Sequence, residues 1–465
     1  MAPVTGLLDQ HVETPEHADL GCVAPKDGIK SCLGPFFVFP EYRTIYPSVV
    51  TTALGNLYVE YNRSFDPLVW ANREWETDYQ HCVALDGSSV NYFVQIDMVG
   101  LPQEFLSAAA GMPEDVVGHV LRKRIFEIEN SLAVYQVVQG IFSFPSQDSY
   151  FKKKFRACLD ELRQRYARPI ALLAVTKQKH EAMRQSEFGK ITGESLTDAE
   201  VFDLSGFDGL FGPEDFCDYL ARKKGKCEYL LYVRSSDTVD KLKKPEVEVE
   251  HPLLSDPDIR KTIKAHALTF NIDAPGMDYF RRINDTKEYM PPMGMAYPVR
   301  FQTDIFSAEF AAHLSQGKGD GSKTYKDYSG DRISPKFTAY LQGEGLASED
   351  VASGEVILRG KPMKGAYGCY GHVSGTLTEQ KFRKEFRSNL HKRGPYVIQP
   401  EMQMPVIINK TDGQAYAYID RNFFAYTDGQ PRFLGGFRSF MPMDSIEAQK
   451  GRIHGNSSTV WAEII

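Results

Sequence analysis

The amino-acid sequence predicts a mixed α/β (α+β) protein, and three observations carry that expectation. Short, uninterrupted apolar runs at residues 170–175, 229–233 and 265–270 alternate with helical stretches, which suits a small parallel sheet covered on both faces. Short β-type runs fill residues 36–100, and stretches of helical spacing follow at 114–139 and about 150–166. The length of 465 residues is enough for several domains, each able to bury a core. The changes of character divide it into an N-terminal α+β region at 1–167, an α/β domain at 168–279 and a C-terminal unit at 280–465.

The elements follow from local pattern. The first ~20 residues, rich in His, Glu and Pro, read as a loose arm. Residues 56–61 and 92–96 are strand-like through their β-branched and aromatic side chains. Val117, Val120, Leu121, Ile125 and Ile128 recur on one side of a helix expected over 114–139. Pro145 interrupts, a charged helix follows over about 150–166, and Pro169 opens the apolar strand at 170–175. A helical stretch from Lys177 to about Phe188 comes next. The Gly/Lys/Asp-rich segment 316–331 reads as a loop. Its run from Gly317 to Thr324 has the wrong order for a P-loop, which needs Gly-Lys followed directly by Ser or Thr.

Composition limits the function classes. With 54 basic and 61 acidic side chains the net charge is −7, so no general attraction for nucleic acid or an anionic membrane is expected. No run of about 18 apolar residues is present, and the first 20 residues lack a basic start followed by an apolar stretch. The seven cysteines are scattered and contain no CxxC, which disfavours a disulfide framework or zinc knuckle and leads to the expectation of a cytoplasmic protein.

The chemistry-bearing residues lie in the last ~110 residues. A strand-like run at 356–358 leads into Lys361 and Lys364 and then into Gly365, Gly368 and Gly371, glycines at every third position. Such a loop can bend sharply and bring backbone N–H groups to an anion, while lysines supply point charges for phosphate oxygens. After a charged amphipathic stretch, residues 394–402 form a strand whose end carries Gln399 and Glu401, groups able to meet an adenine edge or a ribose hydroxyl. A further strand at 415–424 holds Asp420 and Arg421 among aromatic neighbours, where charges are costly unless paired or bound. Gly435, Gly436, Phe437 and Arg438 follow, then Asn456 and Glu463.

In this order the residues resemble the ATP-grasp superfamily, over about residues 168–465 and most strongly after 356. Upstream, Asn284, Asp285 and Lys287 with Gly294 and Pro298 are similar to the family's approach to its lysine-bearing lobe, and the α/β unit at 168–279 takes the place of its preceding domain. The resemblance implies a two-lobed nucleotide cradle. Lys361 and Lys364 would be the phosphate lysines, Gly365, Gly368 and Gly371 the lid, and Gln399 and Glu401 the adenine clamp. Arg438 would stabilise charge on the transferred phosphoryl group, and Asp420, Asn456 and Glu463 would hold Mg²⁺. The usual Glu-x-Asn pair is not found near the C-terminal end of the sequence. The run at 451–458 is also similar to glutathionylspermidine-synthase-like enzymes, whose ligands lie earlier; that makes Glu60 with Asn62, or Asn271 with Asp273, the alternative metal set.

The activity so implied is ligation of a small-molecule carboxylate to an amine, with ATP and Mg²⁺ as cofactors. A carboxylate attacks the γ-phosphate, an acyl phosphate forms, and the amine displaces phosphate. Two rival classes remain: a kinase on the same cradle, separable by amine-dependent ADP release, and a non-catalytic nucleotide-binding protein. Plainer roles compete as well, with Arg438 as an ion-pairing residue and Asp420 as the buried partner of Arg421. The N-terminal region is expected either to cover the acceptor site or to mediate a homodimer.

Overall fold

A computed structural model describes residues 15–31, 34–63, 92–122, 124–129, 150–174, 186–187, 190–191, 207–234, 265–270, 358–362, 373–375, 381, 396–400, 404–427, 430–444 and 459–465. Five strands come from the N-terminal part: β1 (Glu16–Ala18), β2 (Ala24–Ser31), β3 (Gly34–Thr44), β4 (Tyr92–Val99) and β5 (Ile125–Glu129). Among them lie helices α1 (Ser48–Arg63), α2 (Gln103–Ala109) and α3 (Glu114–Arg122). Helix α4 (Tyr150–Tyr166) leads to β6 (Ile170–Ala174), β7 (Ser186–Glu187), β8 (Lys190–Ile191) and β9 (Gly209–Phe211), then α5 (Pro213–Arg222), β10 (Leu230–Arg234) and β11 (Leu268–Phe270). The C-terminal strands are β12 (Leu358–Pro362), β13 (Val373–Gly375), β14 (Tyr396–Pro400), β15 (Val406–Asn409), β16 (Ala415–Thr427), β17 (Gln430–Pro442) and β18 (Val460–Ile464).

The largest sheet has nine strands, in the order β1-β15-β16-β17-β18-β3-β2, with β4 added along β16 and β5 along β4. It therefore draws strands from both ends of the chain. β4 runs antiparallel to β16 from Val99 opposite Ile419 to Tyr92 opposite Tyr426, and β18 runs parallel to β3. The expected boundaries at 167 and 280 do not follow this sheet, because hydrogen-bonded strands from 16–129 and from 406–464 are one unit.

Alternation along these strands sends successive side chains to opposite faces. One face carries Phe39, Tyr416, Tyr418, Phe440, Val460 and Ala462, with Phe39 meeting Tyr416 and Phe440 edge-on at ring separations of 5.6 and 5.3 Å. The other carries Phe423, Phe437 and Trp461 and is covered by α4. That helix buries Phe151, Phe155, Cys158, Leu159 and Leu162, a spacing that keeps one stripe facing the core. Burial also pushes the Cys158 thiol up to about 12, so it stays protonated and inert.

The opposite side of the α4 cluster is the four-stranded parallel sheet β11-β10-β6-β9. Ile170, Leu172, Leu230 and Tyr232 face α4, while Ala171, Leu173 and Leu231 face Phe216, Tyr219 and Leu220 of α5. Burial on both faces is why these strands read as continuous apolar runs. Helix α5 starts with Pro213, Glu214 and Asp215 and ends with Arg222, matching its dipole at both ends.

Three local expectations are corrected. Residues 56–61 are helical, within α1, because Val50, Ala53, Leu54 and Leu57 recur at helical spacing and are buried; that packing outweighs the β propensity of the later residues. The helix expected over 114–139 stops at Arg122, and Ile125–Glu129 pairs with β4 as strand β5, where period-two alternation takes over. The stretch from Lys177 to about Phe188 does not end as a helix, since Ser186–Glu187 pairs with Lys190–Ile191; its earlier part lies outside the described residues. Among the described residues, no helix is long and apolar enough to cross a membrane.

Gly435 and Gly436 owe their place to backbone geometry. The pairing of β16 with β17 is irregular next to Phe423, and Gly435 sits there at φ +108°, where an L side chain is strained. A Cβ on Gly436 would collide with the Arg421 carbonyl, which the sheet holds in place. Gly436→Ala is expected to lower unfolding free energy by about 1–3 kcal/mol in urea melts. By contrast Gly118→Ala, in α3 with open space around it, is expected to raise it by about 0.5–1 kcal/mol.

Candidate functional site

Strands β16 and β17 carry a fully buried pair of opposite charges. Asp420 and Arg438 are direct cross-strand partners, and neither is exposed at all. Arg438 Nε donates to Asp420 Oδ1 at 2.7 Å and Nη2 donates to Oδ2 at 2.8 Å, a bidentate pair. Asp420 Oδ2 also accepts from the Tyr46 hydroxyl at 2.6 Å and from the Leu101 backbone N–H at 2.9 Å. Arg438 Nη2 donates to the Leu101 carbonyl at 2.7 Å, and the guanidinium lies 4.3 Å from the centre of the Tyr418 ring.

This geometry corrects the roles expected of both residues. The Asp420 carboxylate already accepts four hydrogen bonds, and a divalent cation in its place would have to displace the guanidinium. Arg438 directs Nε and Nη2 at Asp420 and the Leu101 carbonyl and is 0% exposed, so it opens onto no solvent-accessible nucleotide cradle. Nor is Asp420 the partner of Arg421: adjacent strand residues point to opposite faces, and Arg421 lies 3.9 Å from Asp97 on the other side.

Glu463 is on that other side as well, because Arg438 opposes Ala462 and Glu463 is the next residue of β18. Its carboxylate accepts from the Phe151 backbone N–H at 3.3 Å and lies 3.5 Å from Arg43 Nε. Asp420 and Glu463 therefore cannot share one Mg²⁺, and the expected metal set does not fit. Among the described residues, no group of three or more His, Cys, Asp or Glu side chains is arranged to hold a metal ion. Glu60 and Asn62 belong to α1, while Asn456, Asn271 and Asp273 lie outside the described residues.

The residues assigned to nucleotide binding fall elsewhere. β12 is the central strand of a three-stranded antiparallel sheet, flanked by β13 and β14. Lys361 on β12 is opposite Val397, and Gln399 on β14 is opposite Arg359, so the lysine and the glutamine are diagonal neighbours on adjoining strands. Lys364, Gly365, Gly368, Gly371 and Glu401 lie outside the described residues.

Electrostatics around the Asp420 pair are set by burial. Burial and then the Asp420 charge hold the Tyr46 phenol well above its ordinary value of 10.0, and burial does the same to Tyr418. Burial alone would lower the Arg438 value, but the adjoining carboxylate outweighs it and the guanidinium stays charged. The contributions of Tyr46 and Leu101 were invisible in the sequence, since both are apolar-context N-terminal residues whose partner lies more than 300 positions away.

No protein-family model matches the chain, and no curated protein is significantly similar to it.

Asp420→Asn leaves the Arg438 charge buried without its counterion and is expected to cost about 3–5 kcal/mol in chemical denaturation. Tyr46→Phe removes one bond to a carboxylate and is expected to cost about 1.5–3 kcal/mol. Because the folded phenols ionise later than unfolded ones, their stabilisation is complete below pH 10.0 and declines as pH rises above it. Tyr46→Phe should flatten that alkaline limb in denaturation series across pH.

Proposed function

We propose that this protein is an ATP-dependent ligase that joins a small-molecule carboxylate to an amine through an acyl phosphate, releasing ADP and phosphate. The observation that carries the reading is the β13-β12-β14 sheet, in which the strand bearing Lys361 is hydrogen-bonded to the strand ending at Gln399 and Pro400. A phosphate-binding lysine and an adenine-facing strand end must lie within one nucleotide of each other, and neighbouring strands about 4.8 Å apart meet that requirement. Lys361 would neutralise phosphate charge as a compact ammonium, and the end of β14 would present amide groups to the base. The glycines at 365, 368 and 371 would supply N–H groups to the remaining phosphate oxygens.

Asp420, Arg438 and Glu463 have no part in this scheme, and no step is assigned to a metal held by them. The closure of Asp420 on Arg438 favours one second reading, nucleotide binding without ligation, because it withdraws the residues expected to handle metal and phosphoryl charge. A cytoplasmic setting fits the free thiols Cys22, Cys158, Cys217 and Cys227. No nucleic acid or membrane partner is proposed.

Lys361→Ala is expected to weaken ATP binding at least tenfold, read by calorimetric titration, with the denaturation midpoint unchanged. ADP release that rises only when both a carboxylate and an amine are supplied supports the ligase. Binding with no such dependence supports the second reading, and wild-type affinity in Lys361→Ala removes the lysine from the site.

A further inference from the structure

The face of the large sheet opposite the Asp420 pair carries polar side chains on four strands, next to Glu463 and beneath the apolar cluster under α4. Gln95 Nε2 donates to Asp97 Oδ1 at 2.8 Å on β4, Arg421 of β16 follows at 3.9 Å, and its guanidinium lies 5.3 Å from the centre of the Trp461 ring on β18. Ser439 of β17 stands between, directly opposite Trp461. Ser439 is 0% exposed and Trp461 3%, yet Ser439 Oγ and Trp461 Nε1 have no hydrogen-bond partner. On β4 the same holds for Gln95 Oε1.

A dry hydroxyl and a dry indole N–H each cost about 1–3 kcal/mol if nothing accepts from them. Side by side on paired strands, their Cβ atoms are about 5 Å apart, so both can reach one acceptor group. Both are donors, and the guanidinium stacked on the indole adds a positive charge at the same point. Two neutral donors and one cation are the recognition chemistry of an oxyanion. A dianion would also face the carboxylates of Asp97 and Glu463 on this side of the sheet, which favours a group with a single negative charge.

We propose that Arg421, Ser439 and Trp461 form a recognition site for a carboxylate group. That the carboxylate is the acid substrate of the ligase rests on the function proposed above; carboxylate recognition itself does not. The site contains one of the three tryptophans, which gives a direct readout. In the full chain carrying Trp70→Phe and Trp75→Phe, emission comes from Trp461 alone. Titration with acetate, without nucleotide, is expected to change that emission saturably, while the neutral isostere acetamide and inorganic phosphate do so at least tenfold more weakly. Ser439→Ala on the same background is expected to weaken acetate binding about tenfold with no loss of stability, since it deletes a hydroxyl that bonds to nothing in the free protein. No saturable change with acetate, equal response to acetamide, preference for phosphate, or unaltered acetate affinity in Ser439→Ala would each overturn the assignment. As no ATP is present, these outcomes are independent of the Lys361 test.

Discussion

The large sheet depends on one buried ion pair. Asp420 and Arg438 face each other across β16 and β17, and both also bond to residues from the far end of the chain, Tyr46 and Leu101 for the carboxylate and Leu101 for the guanidinium. Removing two charges from water costs several kcal/mol each, and the bidentate pairing together with the four hydrogen bonds accepted by the carboxylate makes that tolerable. Such a pair is a poor source of net stability but a strong constraint on arrangement: any slip of β16 against β17, or of the Tyr46 and Leu101 segments against the sheet, strands a charge in a dry interior.

The two faces of that sheet divide the labour. One is sealed by Phe39, Tyr416, Tyr418 and Phe440 around the ion pair. The other packs on α4, which joins it to the parallel sheet through Phe151 on one flank and Leu172 and Tyr232 on the other. On this second face Gln95 Oε1, Ser439 Oγ and Trp461 Nε1 have no hydrogen-bond partner, as Arg438 Nη1 and Asn422 Oδ1 have none on the first. What sets Ser439 and Trp461 apart is that two unpartnered donors stand directly opposite each other beside a guanidinium.

How much of this could be read from the sequence depends on the range of the interactions. The parallel strands at 170–174 and 230–234 were legible because two-sided burial leaves uninterrupted apolar runs, and α4 because its buried stripe lies within the helix itself. Strand β16 was legible for the same local reason. What Asp420 and Arg421 do was not, since their partners are fixed by register with Arg438 and Asp97, and register belongs to the whole sheet. Helix α1 misled because Tyr58 and Val59 favour strands, while Val50, Ala53, Leu54 and Leu57 decide the outcome by packing. Motif order alone links Lys361 and Gln399 in the sequence; in the fold they stand on adjoining strands.

The proposed ligase activity requires that the β12–β14 strand pair faces a nucleotide. An acyl-phosphate derivative of ATP transfers its acyl group to a lysine held near the phosphates, and peptide mapping by mass spectrometry identifies that lysine. A modified peptide containing Lys361 that disappears when excess ATP is present is the expected result. Labelling confined to other lysines, or a Lys361 label indifferent to ATP, would contradict a nucleotide site on these strands.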